Sequence, residues 1–438
     1  MEDSVSFNVL DHVVEASHVR QYAAATSTHQ GEVLHLAVKQ YTPRYATQDG
    51  DATILACHAS AFPKELYEPI WSRMFNEAAR KAPGQRIRSI FIADVVNQGA
   101  SGVLNEQKLG NEPSYYDHAR DYLHLVNHFR EEMKQPILGF GHSMGGNVII
   151  NLALLHPRLI HAVVAIEPVI NTLASEMNFM GTFPLTVKKD KWPSKDAAIS
   201  SIAKSPFYAK WTPQVLDLYK EHGLRSLPKV LPPGDQSDLK NAITLTTTKH
   251  QEVVSFARAA FPKSTEQNLE SFTPNPVLHP DLGDDRHPAN AFYRPESTMT
   301  FQQLPFLRPS CFYIYGEKSH MAAANSKGRN DKLKATGTAT GGSGGAAKGK
   351  VTEAVVKGSH FVPFEMPDEV AVLAGRWFDN ELARWRQEQE EEHRRMDAVP
   401  FEARSRVTEE WVQWVHRLWG RKKGDSASGR QPARTAKL

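Results

Sequence analysis

The chain has 438 residues, 40% of them hydrophobic and 23% charged, a balance that supports a large buried core and does not fit a disordered chain. Its net charge of +3 is small for this length and argues against nucleic acid or another polyanion as a partner. Two cysteines, Cys57 and Cys311, are too few for a disulfide framework and are expected to be small buried hydrophobes in a reducing compartment.

The opening MEDSVSF carries acids in place of lysines and leads into no apolar stretch, so it does not read as a secretory signal. No uninterrupted apolar run reaches membrane-spanning length, so no membrane span is expected. FNVLDHVVEA and EVLHLAVKQY then suggest opening antiparallel strands. Continuous apolar runs follow at 52–59, 89–96, 136–143, 162–169, 311–318 and 351–359, and such runs predict strands buried on both faces. Helical spacing in EPIWSRMFNEAARKA and YYDHARDYLHLVNHFREEM separates them, which predicts an α/β fold with a mainly parallel sheet and helices on both faces.

Residues 170–308 break the alternation and read as an inserted cap with helical fragments, such as KWTPQVLDLYKEHGL, and no core strand. The expected division is therefore a core first part over 1–169, the cap over 170–308, a core second part over 309–385 and a helical extension with tail over 386–438. ATGTATGGSGGAAKGK at 335–350 reads as a flexible connection, because no lysine-serine pair follows its glycines as a phosphate-binding loop requires. The last core helix, expected over 368–384, continues into the charged WRQEQEEEHRRM, after which TEEWVQWVHRLW presents a tryptophan-rich face that reads as a packing or homodimer surface. The final Ala436-Lys437-Leu438 is a variant of the peroxisomal address Ser-Lys-Leu on a polar, basic tail, so import into the peroxisome matrix through the receptor for that signal is expected.

Gly141-His142-Ser143-Met144-Gly145 has the G-x-S-x-G pattern between a strand and a helix, the context in which a sharp turn exposes a serine hydroxyl. Ser143 is the expected nucleophile. A serine needs a base, and His360 in VVKGSHFVPFEMP follows the last β-run through a Gly-Ser turn. Two acids compete to orient that histidine: Glu167, directly after the strand AVVAI, and Glu317 in GEKSH. Glu167 is preferred, because the position two residues beyond Glu317 holds Ser319 where a carboxylate would be needed. Two backbone amides should hold the oxyanion. One is Met144, and the other comes from CHASAFPKE, where Ser60 is preferred to Phe62; the Phe62 ring is expected to touch substrate. Lys188, Lys189, Lys191 and Lys195 could meet phosphates but read first as a solvated face. No metal cluster is visible, and this chemistry requires no metal or cofactor.

These residues resemble the α/β-hydrolase superfamily over nearly the whole chain outside cap and tail. HASAFPKELYEPIW, NQGASGVLNE, GHSMGG, IEPVI, GTATGGSGG and GSHFVPFEMP are similar to a group of fungal peroxisomal acyl-CoA hydrolases from secondary-metabolite and toxin biosynthesis, of the mycophenolic acid pathway type. The resemblance implies a thioesterase that frees an acid from a CoA thioester, with Ser143, Glu167 and His360 as the triad. That group usually carries aspartate where this sequence has Glu167. The motifs themselves do not separate a thioesterase from a carboxylic ester hydrolase, a lipase or an acyltransferase. An intact serine, histidine and carboxylate argues against a purely ligand-binding role.

Overall fold

Apolar runs without polar alternation leave no strand face for water, so they belong in the middle of a sheet. The computed structural model describes residues 7–172, 177–227, 242–260, 275–282, 292–319, 321 and 326–420, and places most of these runs there. The chain passes through β1 (Phe7–Glu15), β2 (His35–Pro43), β3 (Ala52–Cys57), α1 (Glu68–Ala78), β4 (Ile87–Ala93), α2 (Gly99–Leu104), α3 (Tyr115–His128), β5 (Ile137–His142), α4 (Met144–Leu155) and β6 (Ala162–Ile166). Short strands β7 (Lys191–Trp192), β8 (Leu224–Ser226), β9 (Ile243–Leu245), β10 (Arg258–Ala259) and β11 (Phe292–Tyr293) follow. Then β12 (Ser310–Gly316) and β13 (Val351–Val356) complete the main sheet.

That sheet has eight strands in the order β1-β2-β4-β3-β5-β6-β12-β13. The pairs β1·β2 and β2·β4 are antiparallel and all the others parallel. Every residue of β3, β5, β6 and β12 is buried, as their composition demands. The run in β13 was expected to be buried too, but β13 is an edge strand, buried only at Val351 and Val356, with Val355 46% exposed. A strand with one neighbour has room for the polar Thr352 and Glu353. The parallel strands align their carboxyl ends along one edge, where open α/β sheets assemble sites.

Between residues 170 and 308 the described strands stay out of the main sheet. β7, β9 and β8 make a small antiparallel sheet, and β10 and β11 a pair, each too short to carry a periodic signal. The helices Lys195–Ala203, Pro213–His222 and Lys249–Phe256 start at Ser194, Thr212 and Thr248, each of which accepts a backbone N–H of the first turn. Ile202, Trp211, Val215 and Tyr219 pack into one cluster with Phe62 and Phe364 from the main fold.

The glycine-rich loop differs from the flexible connection expected. Gly337 donates to the Leu304 carbonyl at 2.8 Å, Ala339 to Pro305 at 2.9 Å and Ser343 to Leu307 at 2.9 Å. Backbone bonds, invisible in composition, tie it down. The chain divides into two compact units, Met1–Leu382 and Ala383–Leu438. The last core helix runs unbroken over Pro367–Asp397, through the charged segment that follows Arg384, and in the second unit the helix Glu409–Gly420 exposes Trp411, Trp414 and Trp419. The tail tripeptide Ala436-Lys437-Leu438 lies outside the described residues. No described helix is long and apolar enough to cross a membrane. Both cysteines are free and buried, and burial pushes each thiol up to about 12, which makes them inert.

Candidate active site

Ser143 sits between β5 and α4 with φ 57° and ψ −117°, a conformation that side chains rarely adopt. The turn is tight enough to dictate its glycines. A Cβ on Gly145 would lie 2.1 Å from the Cys57 carbonyl oxygen, and one on Gly141 would lie 2.4 Å from that of Gly145. The strained residue is held by main-chain bonds: its N–H donates to the Ile166 carbonyl at 2.8 Å, and its own carbonyl accepts the Val169 N–H at 3.1 Å.

His360 reaches the serine from the turn after β13. Its Nε2 lies 2.8 Å from Ser143 Oγ and its Nδ1 lies 3.2 Å from Glu167 Oε2. With a carboxylate at Nδ1, that nitrogen carries the proton and Nε2 is free to accept the serine hydroxyl. The turn is braced by Glu365, whose carboxylate accepts both the N–H and the hydroxyl of Ser359 at 2.7 Å.

Glu167 follows β6 at φ 48° and is fully buried. Its Oε1 accepts the Gly316 N–H at 2.6 Å, and its Oε2 accepts the Ser319 hydroxyl at 2.6 Å. Two donors and the imidazole therefore aim this carboxylate. Ser319, which the sequence marked only as a missing acid, supplies one of those donors. Glu317, the competing acid, is exposed, and its N–H pairs with the Val356 carbonyl.

The loop after β3 lies against the elbow, as the Gly145 contact with Cys57 requires. Three of its amides are engaged: Ala59 with the Tyr67 hydroxyl at 2.9 Å, Ala61 with Gln98 Oε1 at 2.7 Å, and Phe62 with the Ala59 carbonyl at 3.3 Å. The Ser60 N–H has no acceptor among the described residues. Met144 opens α4, where a helix leaves its first N–H groups unbonded. Gln98 also donates to Ser60 Oγ at 3.0 Å, so one amide side chain grips this loop twice. Nothing local in NQGASG signals that role; only a contact across 37 residues does.

Beneath the loop, Lys64 Nζ bonds Asp94 Oδ2 at 2.8 Å. Burial pushes the Asp94 carboxyl up, but the charges of Lys64 and then His58 outweigh it and hold the group below the usual range. The Phe62 ring is buried in an aromatic cluster with Phe207, Trp211 and Phe361, and Phe207 remains 47% exposed. Of the four lysines, Lys188 is paired with Glu252, Lys191 begins β7, and Lys189 and Lys195 are exposed.

Comparison with known proteins agrees with this fold. The model of the alpha/beta hydrolase family matches residues 54–373. The type I acyl-CoA thioesterase mpaH' of Penicillium brevicompactum is 36% identical over 402 residues, covering 87% of this chain and 89% of that protein. The type I acyl-CoA thioesterase mpaH of Penicillium roqueforti is 35% identical over 407 residues, covering 89% and 91%. Among solved structures, the peroxisomal alpha-beta-hydrolase Lpx1 of Saccharomyces cerevisiae superposes with a TM-score of 0.65 at 17% identity, over 97% of this chain and 100% of that one, a likeness of fold. From a family match that takes in the elbow, both acids and the histidine, and from relatives aligned over most of their length, it follows that this chain belongs to the alpha/beta hydrolase family.

Proposed function

We propose that the protein is a serine-dependent acyl-CoA thioesterase that releases a free acid through an acyl-enzyme. Ser143 is the nucleophile, His360 the base, Glu167 the acid that orients it, and the Met144 and Ser60 amides hold the oxyanion. The observation that carries this reading is the 2.8 Å approach of His360 Nε2 to Ser143 Oγ with Glu167 behind the ring.

His360 takes the hydroxyl proton as Ser143 Oγ attacks the thioester carbonyl, and Glu167 stabilises the imidazolium. Collapse of the tetrahedral intermediate breaks the C–S bond, and the imidazolium proton goes to the departing sulfur. Water, deprotonated by the same nitrogen, then attacks the acyl-enzyme; the C–O bond to Ser143 breaks, the imidazolium returns the proton to Ser143 Oγ, and the acid leaves. Two amides aimed at the oxyanion contribute about 3 kcal/mol each in such sites.

The thioesterase names of the Penicillium relatives support a CoA thioester as the substrate. The aromatic cluster around Phe62 supports an apolar acyl group seated beside the oxyanion loop. Residues 170–308 serve as the cap, residues 1–169 and 309–385 as the two parts of the core, and residues 386–438 as the extension and tail. Ala436-Lys437-Leu438, a variant of the peroxisomal address Ser-Lys-Leu, directs the protein to the peroxisome matrix. The deciding experiment measures thiol release from medium- and long-chain acyl-CoA beside cleavage of matched oxygen esters. Faster turnover of the thioesters is expected, and a strong preference for the oxygen esters would make the protein a carboxylesterase.

A further inference from the structure

His142 ends β5 one residue before Ser143, is fully buried, and has its ring centroid 5.6 Å from that of His360. Burial, then positive charge on His360, push its pKa down to about 3, so the ring is neutral at working pH. A neutral imidazole has one N–H and one lone pair. Its Nε2 faces the backbone carbonyl of His360 at 2.9 Å, which can only accept, so Nε2 carries the proton. Nδ1 must then accept, and it takes the Tyr67 hydroxyl proton at 2.8 Å. The Tyr67 oxygen in turn accepts the Ala59 N–H at 2.9 Å. No bond in this chain can be reversed. One end is the loop that carries Ser60, and the other is the main chain of the residue whose Nε2 meets Ser143.

We propose that Tyr67 and His142 are positioning residues that tie the oxyanion-side loop and the His360 main chain into one register. This inference rests on the roles given above to Ser143, His360 and Ser60. Glu167 fixes the His360 ring at Nδ1 and Glu365 fixes the preceding residue, but neither reaches the loop after β3. The Tyr67–His142 chain is the link among the described residues that bonds both sides. Catalytic groups must hold their geometry to within about 0.5 Å, and misplacement by about 1 Å can cost a hundredfold in rate.

The test uses the full-length protein as wild type, Ser143→Ala, Tyr67→Phe, His142→Leu, His142→Gln and the Tyr67→Phe/His142→Leu double variant. A long-chain acyl-CoA and a p-nitrophenyl ester are assayed, with active sites counted by fluorophosphonate titration. Tyr67→Phe and His142→Leu are each expected to lower kcat per titrated site by about 10- to 100-fold with KM within about twofold. Glutamine can accept from Tyr67 and donate to the His360 carbonyl, so His142→Gln should recover most of the loss. The double variant should be no worse than His142→Leu alone, because both break one chain. A role in packing alone would lower Tm and leave kcat per titrated site unchanged. That outcome, or a glutamine variant no better than leucine, overturns the proposal. If His142→Leu does not fold, Tyr67→Phe decides. Retained activity in Ser143→Ala would instead overturn the catalytic reading itself.

Discussion

At the scale of single residues, the site depends on which groups aim the carboxylate. Glu167 is fully buried with a hydrogen-bond donor on each oxygen as well as the imidazole, whereas Glu317 is exposed. Glu167→Gln is therefore expected to lower kcat by about 10³-fold or more, because the wrong tautomer of His360 would be favoured. Glu317→Gln should stay within about twofold of wild type, the ordinary scatter for an exposed side chain. Steady-state rates of the two variants on one substrate check this, and the reverse ranking would move the acid to Glu317. Ser319→Ala removes one donor from a charged acceptor and should cost about tenfold in kcat. Activity equal to wild type would reduce that hydroxyl to a packing group.

At the scale of elements, the elbow is set by how closely α4 approaches β3. The approach places the Cys57 carbonyl where a side chain at 145 would begin. Gly145→Ala must push the helix or the loop after β3 aside, and a forced shift in a packed core costs about 3 kcal/mol. Loss of at least that much stability by urea denaturation, together with loss of activity, is the expected result. A variant with wild-type stability would mean that the loop yields freely, which would weaken the assignment of Ser60 as an oxyanion amide. The same closeness explains why the sequence pattern is informative here, since glycine is the residue without a Cβ and the spacing reports a contact.

For the molecule as a whole, stability should fall in mild acid. His58, His118 and His142 are buried, and burial lowers the pKa of all three, His142 to about 3. Below the free histidine value of about 6.5 the unfolded chain binds protons that the folded chain refuses. Above that pH protonation costs the fold nothing, and as pH falls from there toward the folded value stability is lost at about 1.4 kcal/mol per pH unit per proton. Urea unfolding at pH 7, 6 and 5 should show a declining free energy, and a flat profile would contradict it. Neither ring nitrogen of His118 has a hydrogen-bond partner among the described residues, so His118→Leu should raise the unfolding midpoint and remove about one proton from the pH slope. On the cellular scale, deletion of Leu438 should leave a tagged protein in the cytosol under fluorescence microscopy. Continued import would refute the reading of the tail.

Sequence alone determined the buried strands, the elbow serine and the late histidine, because each is written in a few neighbouring residues: an apolar run, a pair of glycines, a Gly-Ser turn. Glu167 was only favoured over Glu317 by a gap at Ser319, and folding turned that gap into a hydrogen-bond donor. The short strands between residues 170 and 308, the tied glycine loop and the exposed face of β13 carried no periodic signal and emerged only with their neighbours in place. The grip of Gln98 on the loop after β3 and the chain from Ala59 through Tyr67 and His142 to His360 were decided by tertiary structure alone. They join residues up to 218 positions apart, and a bond between distant atoms leaves no mark on the local pattern of either partner.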